Sequence, residues 1–142
     1  MLSWLLVIIQ LGALALIAVT GPLIPANLWL FGMEAAAAAL AVWAVLTLGI
    51  GNFNIVPDVK QDARLVTGGP YRLIRHPIYT ALLLGALPMI INTYTPFRLA
   101  LWLILLVDLL AKLYYEERLL QKALPGYAEY MKTSHRLIPF IY

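Results

Sequence analysis

Four apolar runs divide the chain, and the polar positions gather between and after them. Residues 3–20 carry no charge. At about 1.5 Å per helical residue they are just long enough to span a bilayer core. A short turn follows, with Gly21, Pro22, Pro25 and Asn27. Residues 28–50 form a second predicted span of 23 residues. It holds Ala35, Ala36, Ala37, Ala38 and Ala39 unbroken, then Ala41 and Ala44. Small residues let helices approach closely in lipid, where packing replaces the hydrophobic drive. That face suits a homodimer as well as internal packing. Glu34 is the one charge in the run, expected near its outer end and reaching water or a neighbouring polar group. An acid inside a membrane is also a functional candidate.

The third run, residues 78–92, has only 15 residues. Pro77 suits the first helical position, where its missing N–H costs nothing. Pro88 is expected to kink or end the helix. The run is short for a full span, so a tilted or partly re-entrant helix is expected. A turn over residues 92–96 leads to the fourth run, which starts at Phe97 and reaches Tyr115. Asp108 and Lys112 lie four apart on one helix face and are expected to pair. From Glu116 the pattern turns amphipathic, and the helix should stop near Pro125 and Gly126.

Between the second and third runs lies a polar segment of roughly 25 residues, long for a mere connection. It carries Pro57, Asp58, Lys60, Asp62, Arg64, Gly68, Gly69 and Pro70, which is loop chemistry. Its opening Gly49 and Gly51 are not a dinucleotide fingerprint. Position 54 is Asn where a third glycine is needed, and a membrane helix precedes it instead of a strand.

Composition sharpens this picture. Hydrophobic residues are 63% and charged residues 12% of the 142, against roughly 45–50% and about 25% in globular chains. The fold class expected is an all-α integral membrane protein. It has about four transmembrane helices, with a cytoplasmic loop and C-terminal tail forming a pocket. Residues 1–142 make a single membrane domain: 1–50 supply two N-terminal spans, and 51–142 a functional region with a helical hairpin and tail. The first residues lack the basic region of a signal peptide, so the first run is expected to be retained. With no cysteine, disulfides, thiolate nucleophiles and Cys-ligated metals are excluded. His76 and His135 are too few for a His-rich metal site, and none is expected. The net charge of +3 does not point to nucleic acid, because the basic residues flank membrane segments.

Their distribution predicts orientation. Lys60, Arg64, Arg72 and Arg75 lie between the second and third runs. Lys112, Arg118, Lys122, Lys132 and Arg136 lie at the end of the fourth or beyond, and only Arg98 falls on the other side. Nine against one places both basic regions in the cytoplasm, with both termini. The 52–77 loop and the 116–142 tail then share one face. The loop brings Tyr71, Arg72, Arg75, His76 and Tyr79; the tail brings Glu116, Glu117, Tyr127, Tyr130, His135 and Arg136. No serine or cysteine nucleophile–base pair is among them. They suit a reaction that needs positioning more than acid–base work. Cations and tyrosines at helix ends also follow the positive-inside and aromatic-belt rules. Those rules do not explain His76 and Pro77 at a helix entrance with Tyr79 just beyond, nor two acids at the next helix's exit.

Several strings, in order, resemble the isoprenylcysteine carboxyl methyltransferase family, its bacterial and archaeal relatives and the similar phospholipid methyltransferases. They are Leu65, Val66, Thr67, Gly68, Gly69, Pro70, Tyr71 and Arg72; Arg75, His76, Pro77, Ile78 and Tyr79; Glu116 and Glu117; Gly126, Tyr127 and Tyr130; and Arg136 with Pro139. The resemblance covers residues 52–142. It implies methyl transfer from the cofactor S-adenosylmethionine to a lipophilic acceptor, such as the carboxylate of an isoprenylcysteine-like molecule, a related lipid or a thiol. It implies a cytosolic cofactor pocket lined by His76, Pro77, Tyr79, Glu116, Glu117 and Tyr130, with Arg136 closing the tail over it. Relatives often carry His where this chain has Ala63. Arg75, Glu116 and Arg136 are the candidate catalytic residues: either guanidinium could grip an acceptor carboxylate, and either acid could bind the cofactor's amino group or ribose. Partners expected are membrane lipids and a lipophilic substrate. The competing readings are an NADPH-dependent enzyme like the sterol reductases and a non-enzymatic membrane module.

Overall fold

A computed structural model describes residues 2–49, 51–52, 54–59 and 63–142. Lys60 and Asp62 of the predicted loop lie outside the described residues. Among the described residues there are five α-helices and no strand: α1 (Leu2–Val19), α2 (Leu28–Leu48), α3 (Pro77–Asn92), α4 (Pro96–Ala123) and α5 (Tyr127–Thr133). A 3₁₀ turn, Gly69–Arg72, precedes α3.

Capping fixes several boundaries. Asn27 Oδ1 accepts from the N–H groups of Trp29 (2.9 Å) and Leu30 (3.3 Å) and starts α2. Thr95 Oγ1 accepts from Arg98 N at 3.1 Å and starts α4, with Pro96 at the first helical position. Pro77 opens α3 as predicted. Pro88 does not end it: α3 runs on to Asn92, with Pro88 buried. The tail also folds further than its sequence suggested, into the short helix α5.

α1 packs chiefly on α4, α2 chiefly on α3, and α3 joins the pairs by packing on α4. The core runs along one stripe of α4, through Leu101, Leu105, Leu109 and Leu113, against Ala13 and Ile17 of α1 and Leu83, Ala86 and Ile90 of α3. Of the alanine run, Ala37 is buried, as is Ala44 beyond it, while Ala35, Ala36, Ala38 and Ala39 are exposed. At Gly85 a Cβ would come within 3.5 Å of Ala37 Cβ, so α2 and α3 approach through small side chains. α1 and α2 are long and apolar enough to cross a membrane, and both leave most of that apolar surface facing outward. α3 has 16 residues, and α4 has 28 with charges along it.

The two ends of this bundle differ. At one, Arg98 is 1% exposed. Its Nη1 donates to the Ile17 carbonyl (2.9 Å) and the Thr20 hydroxyl (2.8 Å), and its Nη2 to the Met89 carbonyl (2.8 Å). One guanidinium therefore satisfies carbonyls at the C-terminal ends of both α1 and α3. Gly21 makes room for it: a Cβ there would lie 2.6 Å from Arg98 Nη1. The loop and the tail gather at the other end.

Candidate functional site

Backbone pairing brings loop and tail together. Arg75 N donates to the His135 carbonyl at 2.7 Å, His76 N to the Arg136 carbonyl at 3.1 Å, and His135 N to the Leu73 carbonyl at 2.9 Å. This short parallel bridge sets the chain just before α3 beside the tail just after α5. Tyr130 reinforces it by donating to the Tyr71 carbonyl at 2.5 Å. Thr80 Oγ1 does the same to the Leu137 carbonyl at 2.8 Å. The 3₁₀ turn anchors the loop to α2. Gly69 has φ +54°, and a Cβ there would meet Thr47 Oγ1 at 2.6 Å, so only glycine fits the turn without strain. Asp58 ties the earlier part of the loop across the bundle, accepting from Ser3 of α1 (2.9 Å) and Tyr115 of α4 (3.1 Å).

α4 reaches this end with Glu116 and Glu117, which face different surroundings. Glu117 is 3% exposed. It accepts from Arg75 Nε at 2.7 Å and from Arg136 Nε at 3.1 Å. Burial would raise its pKa, but the nearby His76, together with the hydrogen bond and charge of Arg75, brings it down to about 2. Arg75 Nη1 also donates to the Ser134 carbonyl and to the Met131 carbonyl at 3.2 Å. Arg136 is held between the rings of Tyr114 and Tyr142, 4.8 and 5.3 Å from their centroids.

Glu116 instead turns toward a cavity. It accepts from the Tyr79 hydroxyl. Its Oε2 lies 3.5 Å from His76 Nδ1, and His76 Nε2 lies 3.5 Å from Glu117 Oε1. At that distance Nε2 is within ion-pair range but makes no hydrogen bond among the described residues. The imidazole stacks on the Tyr79 ring, with centroids 5.4 Å apart and planes 6° from parallel. Burial works to lower the His76 pKa, but the two flanking carboxylates outweigh it and the net direction is upward. Burial lifts Tyr130 to about 12 and Tyr71 and Tyr127 higher still, so these hydroxyls stay neutral.

The cavity has a volume of about 210 Å³. Its walls come from α1, the end of α2, loop residues 52, 54–59 and 63–66, the 3₁₀ turn, α3, α4 and α5, and include His76, Pro77, Tyr79, Glu116, Tyr130 and Arg75. Glu117 and Arg136 lie behind the wall and are not part of the lining. Arg72 is exposed and outside it, and the His135 ring sits against Phe140 at 5.5 Å. Ala63 is part of the lining.

Two polar lining residues borne on helices escaped the sequence reading. Gln10 of α1 reaches the cavity, and so does Lys112 of α4. The expected Asp108–Lys112 pair does not form. Among the described residues no ion pair joins them, and Lys112 Nζ instead donates to Gln10 Oε1 at 2.6 Å. Asp108 borders a separate apolar hollow with Leu6, Ile9 and Val107, while Lys112 points into the main cavity. Four-residue spacing permits a pair, but packing of α1 against α4 draws the two side chains apart. The available signal was Gln10 itself, a lone amide in the middle of an otherwise apolar run.

The family model described as the isoprenylcysteine carboxyl methyltransferase (ICMT) family matches residues 29–122. The match takes in α2, the loop, α3 and nearly all of α4, with Arg75, His76, Tyr79, Glu116 and Glu117 inside it. It leaves out α1 and the tail with Tyr130 and Arg136. Comparison with curated proteins and with solved structures gives no match.

Proposed function

The chain belongs to the isoprenylcysteine carboxyl methyltransferase family, a family of membrane methyltransferases; from that premise we propose that it moves a methyl group from S-adenosylmethionine to a lipophilic acceptor at the cytoplasmic membrane face. In this reading α1 to α4 all cross the bilayer, and the 16-residue α3 tilts or works in a locally thinned membrane. The loop, the tail and both termini lie on the cytoplasmic side.

The observation that carries the reading is the cavity where His76, Tyr79 and Glu116 stand together beneath the loop. Its donor set suits such a cofactor. Glu116 offers carboxylate lone pairs for an amino group or ribose hydroxyls. The stacked His76 and Tyr79 rings give a flat wall, and Pro77 fixes its edge. When bound, S-adenosylmethionine would supply a methyl group already activated on a cationic sulfur, which would keep the electron pair of the broken carbon–sulfur bond. The protein's share is then alignment and exclusion of water. Leu48, Leu65, Leu82 and Leu120 line the apolar walls. Glu117, shared by Arg75 and Arg136, holds the tail against α3 and so keeps Tyr130 at the rim.

The test is calorimetric titration of the purified protein with S-adenosylhomocysteine, with NADPH as control. Binding on the order of micromolar, lost in His76→Ala and in Glu116→Ala, is expected. Folded protein that binds neither ligand would overturn the proposal.

A further inference from the structure

Lys112 is a buried cation that the two acids one turn to either side on α4, Asp108 and Glu116, reach only from a distance. It is 2% exposed, and among the described residues no carboxylate lies within 4 Å of its ammonium. Its partners are the neutral Gln10 Oε1 (2.6 Å) and, at the limit, the Ile55 carbonyl (3.5 Å). The ammonium also faces the Tyr79 ring, 5.5 Å from its centroid. Burying a charge with so little compensation is costly. An anion bound beside it would offset that cost.

Its place in the cavity narrows the ligand. Lys112 lies four residues, one helical turn, before Glu116 on the same helix, and so sits deeper in the bundle along α4. The other lining cations are unsuited to the same task. Arg75 already has a counter-charge, Glu117, on its Nε and two carbonyls on its Nη1, and Arg64 is exposed in the loop. Gln10 fixes the ammonium from α1, a helix outside the matched family region.

Resting on the methyltransferase reading, we propose that Lys112, held by Gln10, is the specificity-determining residue that receives the anionic end of the acceptor, a lipophilic carboxylate. The ammonium binds one carboxylate oxygen. Gln10 turns its amide oxygen to the ammonium, which leaves its amide N–H₂ as a donor for the same anion. An amine acceptor would meet like charge there, and a neutral thiol would leave the lysine unpaired.

The experiment measures equilibrium binding of farnesylthioacetic acid and of its carboxamide to the full chain in detergent, with S-adenosylhomocysteine titrated separately. The wild type should bind the acid roughly 10–100-fold more tightly than the carboxamide, the worth of one charge-assisted hydrogen bond. Lys112→Met should abolish that preference and leave S-adenosylhomocysteine affinity unchanged. Methionine suits an apolar wall, and Lys112→Gln repeats the test should the first variant not fold. Equal binding of acid and carboxamide by the wild type, or an undiminished preference in the variants, overturns the proposal. So does a matching loss of S-adenosylhomocysteine binding, which would assign Lys112 to the cofactor. Absence of S-adenosylhomocysteine binding in the wild type refutes the methyltransferase reading instead, and the acid preference is scored independently of it.

Discussion

Arg98 and Arg75 are both buried arginines at the N-terminal end of a helix or just before it, yet the two ends of the bundle use them differently. Arg98 meets only carbonyls and a hydroxyl, and joins the ends of α1 and α3. Arg75 meets a carboxylate, and through Glu117 it is coupled to His76 and Arg136. A guanidinium facing backbone dipoles closes a structure and leaves nothing to titrate. A guanidinium facing a carboxylate creates a charge balance that a neighbouring group can shift. The difference separates a structural end from a chemical one, although by composition the two arginines are alike.

The largest expected effect that tests this contrast is Glu117→Gln. It leaves Arg75 and Arg136 without their counter-charge and should cost about 3–5 kcal/mol of stability. It should also weaken S-adenosylhomocysteine binding. Chemical unfolding in detergent and calorimetry read the two effects, and a variant as stable as the parent would erase the distinction.

The pH dependence follows from the same pair. The Glu117 carboxylate is held at about 2 against an ordinary 4.5, so its contribution is present above pH 4.5 and lost as pH falls toward 2. His76 is shifted upward from 6.5, so its contribution is full below 6.5 and fades as pH rises through its folded value. Protection from hydrogen exchange at the loop and tail, taken relative to the intrinsic rate at each pH, should therefore be greatest between those limits. Protection around Arg98 should stay flat, and a parallel response at both ends would contradict the division.

Arg98→Met should cost about 2 kcal/mol, for the lost charged hydrogen bonds, with S-adenosylhomocysteine affinity unchanged per folded molecule. A loss of affinity at full stability would make the far end part of the site. Gly69→Ala should cost about 1–2 kcal/mol, because a positive φ and the Thr47 hydroxyl both oppose a Cβ. Gly68→Ala meets open space and should change the unfolding midpoint little. Tyr130→Phe removes one hydrogen bond to the Tyr71 carbonyl and should cost about 1 kcal/mol. An unchanged midpoint there would mean that the backbone bridge alone holds the tail.

Much of this was legible in the linear sequence. The apolar runs outline α1 to α4 because long apolar stretches pair their own backbone groups as helices, and Pro77, Thr95 and Gly126 stand at or beside helix ends for local backbone reasons. The ordered motif residues place the chain in its family. Tertiary structure decided how neighbouring charges divide their work. Glu116 and Glu117 are adjacent in the chain, yet successive helical positions point about 100° apart. One therefore opens to the cavity and the other closes on two arginines. Asp108 and Lys112 are spaced to pair, and packing against α1 gives Lys112 to Gln10 instead. A linear pattern specifies which residues share an element. Which buried charge meets which partner depends on the neighbouring helix that displaces the water between them.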